Sequence, residues 1–170
     1  MNNYTVYSIN GMEKPRNEYL LNLKRAKKEI GILCGELDPE FYNSDKFIET
    51  IGSFLTIPDS KLSIIFNGNS GIKEEAVDRI KSMNHNMLEN FKKYFTNTKE
   101  INLFWIPIRA KRHFTIIDYE TVLVEGSHEV GKPRNLHCFV KNIEVYSEWE
   151  KRFEDIKNYS KGIDSKILYA

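Results

Sequence analysis

Two short runs constrain the fold of this chain more than any other feature. "IGILCGEL" at 30–37 and "KLSIIFNG" at 61–68 are almost continuously apolar rather than apolar at alternate positions. That is the pattern of strands buried on both faces, which a parallel sheet covered by helices on either side provides. The segments around them carry the helical period. Behind Pro15, the residues Tyr19, Leu20, Leu23, Ala26 and Ile30 recur at three- and four-residue spacing, with "KRAKKE" on a solvated face. Ser44 and Asp45 cap and open a helix that turns Phe47, Ile48, Ile51 and Leu55 inward, and Pro58 and Asp59 end it. A turn is expected at Asp38-Pro39. One long helix is expected from Ile72 to Phe95, its inward stripe formed by Ile72, Ala76, Ile80, Met83, Met87, Phe91 and Tyr94 or Phe95.

From Ile101 the pattern changes to short strands. "INLFWIPI", "RHFTIID", "TVLVEG" and "NLHCFVKN" follow one another, and a closing helix carries Val145, Trp149, Phe153 and Ile156 on one face. Strands alternating with helices, then strands alone, predict a mixed β-sheet sandwiched between α-helices, a three-layer α/β fold. With 170 residues, 41% of them hydrophobic, the chain has material for one core, and residues 1–170 are expected to form a single domain.

A net charge of +1 speaks against bulk electrostatic coating of nucleic acid and leaves binding to local patches. Cys34 and Cys138 both sit inside apolar runs, where a thiol behaves as a small buried hydrophobe, so no disulfide framework is expected. The opening "MNNYTVYSIN" has neither a basic stretch nor an apolar one of leader type, and no apolar run is long enough to cross a bilayer. A cytoplasmic protein without membrane contact is expected.

Three constellations merit a chemical reading. "FNGNSG" lies where helix amides receive a phosphate, yet it lacks the Lys-Ser/Thr ending of a phosphate-binding loop, and an ordinary strand-to-helix turn explains it better. His113, Asp118, His128, His137 and Cys138 are candidate metal ligands by type, but none has zinc spacing, and neighbours on a strand point to opposite faces. No metal and no cofactor is expected.

The third is "KRHFTIIDYETVLVEGSH" at 111–128. It resembles the phospholipase D superfamily, whose strand motif reads H-x-K-x-x-x-x-D with Gly-Ser after a second short strand. The resemblance implies a histidine that attacks a phosphodiester, a lysine two residues on and so on the same strand face, and a second histidine from a paired motif that protonates the leaving group. Two such motifs meet across a pseudo-twofold axis, from one long chain or two identical short ones. Here Asp118 stands at the aspartate position and Gly126-Ser127 at the Gly-Ser. Counting back puts Lys111 at the histidine position and His113 at the lysine position, so the pair is exchanged. With His113 as nucleophile instead, Thr115 replaces the lysine and Glu120 the aspartate. The order of helices and strands matches one phospholipase-D-like half. "RAKKEIGILCG" resembles the first helix and strand of the degenerate halves that act as sensors in sugar-responsive archaeal transcription regulators.

Three functions are consistent with this pattern. The first is a degenerate, non-catalytic phospholipase-D-like domain that binds a phosphate-containing ligand, nucleic acid or partner through Arg109, Lys111, Arg112, Ser127 and His128. The second is a metal-independent phosphodiesterase or nuclease working as a homodimer, with His113 as nucleophile, Asp118 in its motif and a displaced cation. The third is an interaction scaffold with no small ligand. His128 donates to a phosphate oxygen in the first two readings and is an ordinary loop histidine in the third.

Overall fold

The computed structural model describes residues 4–35, 39–67, 73–83, 85–95, 100–108, 110, 112–126 and 132–164. The elements in chain order are β1 (Thr5–Gly11), α1 (Lys14–Arg25), β2 (Glu29–Cys34), α2 (Pro39–Tyr42), α3 (Asp45–Leu55), β3 (Lys61–Asn67), α4 (Lys73–Met83), α5 (His85–Phe95), β4 (Glu100–Ile106), β5 (His113–Ile117), β6 (Thr121–Glu125), β7 (Arg134–Val140), α6 (Ile143–Tyr159) and β8 (Lys161–Gly162). One eight-stranded sheet runs β1-β7-β6-β5-β2-β3-β4-β8. The two continuously apolar runs became β2 and β3, paired in parallel near the centre of the sheet and buried along almost their whole length. β4 extends the parallel set, whereas β5, β6, β7 and β1 join by antiparallel pairing. The expected mixed sheet between helices is therefore the observed architecture.

The two faces are covered unequally. On one lie α1 to α5, whose Tyr19, Leu23, Phe47, Ile51, Ile80 and Phe91 pack over Ile30, Ile32, Leu62 and Trp105. On the other, α6 alone brings Tyr146 and Phe153 onto Leu33, Ile65, Phe114 and Ile116, with Val145, Trp149 and Ile156 at its margin. Phe153 approaches the sheet so closely at Gly31 that a Cβ there would sit 3.0 Å from its ring and 2.9 Å from Ile116.

Local chemistry explains most boundaries. The Ser44 hydroxyl accepts the Phe47 amide at 3.3 Å and starts α3, and Asn142 does the same for Val145 at 3.1 Å in α6. Two helices, α4 and α5, occupy the expected span 72–95, with Ala76 and Ile80 buried on the first and Met87 and Phe91 on the second, and residue 84 between them lies outside the described residues. Asn43 Oδ1 accepts the Met87 amide at 3.1 Å in the first turn of α5. Pro39 opens the short helix α2 where only a turn was expected, and its Phe41 and Tyr42 are core residues. No helix among the described residues is long and apolar enough to cross a membrane.

Candidate functional site

β5 and β6 form a hairpin whose turn places Asp118 and Tyr119 at φ 52° and 65°, in the left-handed region that aspartate tolerates better than most side chains. Asp118 follows the last residue of β5, at the end of the strand opposite His113. Its carboxylate accepts the amides of Lys27, Lys28 and Glu29 at 2.6, 2.7 and 2.9 Å, and its own amide donates to Glu29 O at 3.0 Å. These bonds tie the chain leaving α1 to the hairpin. His113 and Asp118 do not meet.

His113 opens β5 and pairs in register with Glu125 of β6, as Thr115 pairs with Leu123. The two-residue period puts His113, Thr115, Leu123 and Glu125 on the face under α1. The His113 ring leans on Gly35, just past β2, where a Cβ would lie 2.7 Å from its Cε1 and 2.8 Å from its Nε2. Any side chain at this position requires the His113 ring to shift. Thr115 is 1% exposed, and its hydroxyl shares a 2.7 Å hydrogen bond with that of Tyr19 from α1. Tyr42 lies in the same core, edge-on to Phe41, which in turn packs edge-on to Tyr19. Burial, and then the negative charge of Glu125, push the Tyr19 phenol and the Cys34 thiol well above their ordinary values. For Tyr42 the order is burial, Tyr19 and then Glu125.

Beside this network a small cavity of about 20 Å³ lies among Arg16, Tyr19, Phe41, Glu125, Arg134 and Leu136. That is room for about one water. Arg112 is exposed, one residue before β5. Arg109, Lys111, Ser127 and His128, named above as ligand-binding candidates, lie outside the described residues, as does most of "FNGNSG". Both ring nitrogens of His137 are engaged, Nδ1 with the Ser8 hydroxyl at 2.6 Å and Nε2 with the Asn135 amide at 3.1 Å. Cys138 next to it is fully buried, and both cysteines are free thiols. Among the described residues no three His, Cys, Asp or Glu side chains gather as a metal site.

No family model and no curated protein matches the sequence. Solved structures do match the fold. Phosphatidylserine synthase of Haemophilus influenzae Rd KW20 superposes with a TM-score of 0.69 at 12% identity, over 96% of this chain and 41% of that one. Nuc from Salmonella typhimurium, a phospholipase D family member, gives 0.64 at 14% identity over 94% and 98%. TrmBL2, an archaeal chromatin protein whose structure shows a novel mode of DNA binding, gives 0.64 at 13% identity over 93% and 54%. The chain has a phospholipase-D-like fold. It spans about half of TrmBL2, less than half of the synthase and nearly all of Nuc.

Within this phospholipase-D-like fold, the residue two positions along the strand from His113 on the same face is a buried, hydrogen-bonded threonine. The neighbour across the hairpin is a carboxylate. The sequence alone does not say whether Glu125 enters the site, because that depends on hairpin register and a slip of one residue reverses the facing. Tyr19 was read as an apolar stripe residue. The signal that could have found its second role is the phenol itself, since a buried tyrosine hydroxyl needs a partner.

Proposed function

We propose that this chain, taken as one domain, is a phospholipase-D-like domain that does not cleave phosphodiesters, and that it binds a phosphate-containing ligand or partner at the rim of the His113 end. The observation that carries the reading is Thr115. If His113 were the nucleophile, the same-face position that should hold the phosphate-neutralising cation holds a hydroxyl committed to Tyr19. If Asp118 sets the register, a lysine takes the place of the nucleophile. Glu125 pairs in register with His113 across the hairpin. Loss of one preorganised charge contact typically costs about a hundredfold or more in rate. Binding is assigned to the basic run entering β5, of which Arg112 is exposed, rather than to the face over His113.

The test is an assay of bis(p-nitrophenyl) phosphate and single-stranded DNA cleavage by the wild type and His113→Ala, with and without chelator. The expected result is no turnover in either, with a thermal shift when nucleotides or sugar phosphates are added. A chelator-resistant activity lost in His113→Ala would overturn the reading in favour of a phosphodiesterase. A solution mass then decides whether a second copy is present to supply the other histidine.

A further inference from the structure

We propose that the groove between α1 and α3, at the far end of the sheet from His113, binds the phosphate backbone of a nucleic-acid duplex. The groove encloses about 560 Å³ and is lined by Lys24, Lys27, Lys46, Glu49, Ser53 and Phe54 among others. It lies at the Asp118 end, because the amide of Lys27 is one of those that Asp118 holds. Lys24, Arg25, Lys27 and Lys28 put four cations into five residues of a chain whose basic and acidic residues balance overall at 25 and 24. Among the described residues, no carboxylate forms an ion pair with Lys24, Lys27 or Lys46.

The fold accounts for only part of this charge. Lys24 and Arg25 stand in the last turn of α1, where the helix dipole favours cations. Lys46 stands in the first turn of α3, where the dipole disfavours one, and Lys27 and Lys28 belong to no helix. Lys24, Lys27 and Lys46 share the lining of one groove.

The kind of ligand follows from what the groove lacks. A small-molecule site needs convergent polar groups that fix orientation. Here the Thr50 hydroxyl donates to Lys46 O within its own helix at 2.7 Å, and Leu23, Ala26 and Phe54 form an apolar floor. No arginine fork lines it for bidentate capture of one phosphate, and Phe54 is too deeply buried to stack on a base. Lysine point charges along an open rim suit a repeating anion held by charge alone, as a duplex backbone is.

The test is fluorescence anisotropy of a labelled 20-base-pair DNA duplex over a range of salt concentrations, using the wild type, the triple variant Lys24→Gln/Lys27→Gln/Lys46→Gln, and Lys151→Gln on the exposed side of α6 as control. Each phosphate contact contributes about 0.9 to the slope of log K against log salt. The triple variant should therefore lose about two to three from that slope and at least about tenfold in affinity at 50 mM salt, with Lys151→Gln unchanged. The proposal is overturned by absence of duplex binding at 50 mM salt, by a triple variant that binds as the wild type does, or by tripolyphosphate binding as tightly as the duplex. His113→Ala in the same assay separates this groove from the other end: it should leave duplex binding intact.

Discussion

The two ends of β5 solve opposite problems. At the Asp118 end, each carboxylate oxygen is used, three amides are satisfied by one side chain, and the turn conformation suits the residue that occupies it. At the His113 end, a histidine ring is pressed against a glycine, a carboxylate faces it across the hairpin, and the same-face neighbour is a buried threonine. The first arrangement is framework; at the second, the described same-face neighbour of His113 is no cation. On the function proposed above, one end of the strand fastens it while the other no longer serves catalysis, because fastening depends on backbone amides and catalysis on particular side chains.

The largest expected effect tests the fastened end. Asp118→Ala removes the acceptor of three backbone amides and puts alanine at φ 52°. Charge-assisted hydrogen bonds are worth about 1.5–3 kcal/mol each and are not additive when shared, so a loss of about 3–4 kcal/mol is expected. For a chain of this size that lowers Tm by about 10 °C. Asp118→Gly keeps the turn and should cost nearly as much; Asp118→Asn keeps one acceptor and should fall between. Differential scanning calorimetry decides. A Tm for Asp118→Ala within about 2 °C of the wild type would remove the contrast between the two ends.

The next effect tests whether His113 is held by the close approach to Gly35. Gly35→Ala introduces a Cβ 2.7 Å from the His113 ring and should cost about 1–3 kcal/mol. In a His113→Ala background the same substitution should be nearly free, giving a coupling of at least about 0.5 kcal/mol in a denaturation-based double-mutant cycle. Equal costs in both backgrounds would mean that something other than His113 sets the constraint. Smaller again, Thr115→Val leaves the Tyr19 hydroxyl without this 2.7 Å partner and should cost about 1 kcal/mol by urea denaturation. A neutral result would deprive the Tyr19–Thr115 bond of energetic meaning.

The fold was legible wherever one local pattern decides one element. Continuous apolar runs made β2 and β3, the Ser44 cap made the start of α3, and the stripe Val145, Trp149, Phe153, Ile156 made α6. Contacts between distant segments, such as Asn43 accepting the Met87 amide of α5 across 44 residues of sequence, were not legible. Nor did the turn formers at Asp38-Pro39 reveal that the aromatics after them enter the core. For the candidate site, the spacing in 111–128 located the hairpin of β5 and β6. Glu125 opposite His113, Gly35 beneath it and Tyr19 reaching Thr115 required register and tertiary approach, which spacing within one segment does not carry.

The smallest effect concerns the charge of Glu125. Tyr19, Tyr42 and Cys34 are all raised by burial, so in the folded chain they stay neutral at a pH where the unfolded chain has begun to lose those protons. Between those two points the unfolded state binds fewer protons than the folded one, and stability falls as pH rises. Cys138, pushed up by burial to about 11, acts the same way from about pH 9 upward. Thermal stability should therefore be level from pH 6 to about 8 and decline above about 9. Glu125 adds to the upward shift of Tyr19, Tyr42 and Cys34, after burial in each case; because burial alone keeps these groups protonated in the folded chain, Glu125→Gln should leave the neutral plateau and the alkaline slope nearly unchanged. Asp118→Asn, at the fastened end, should lower the plateau and keep the alkaline slope. A clearly shallower alkaline slope in Glu125→Gln would mean that the buried phenols and thiol ionise in the folded chain once this charge is gone, so that the Glu125 carboxylate rather than burial holds them neutral.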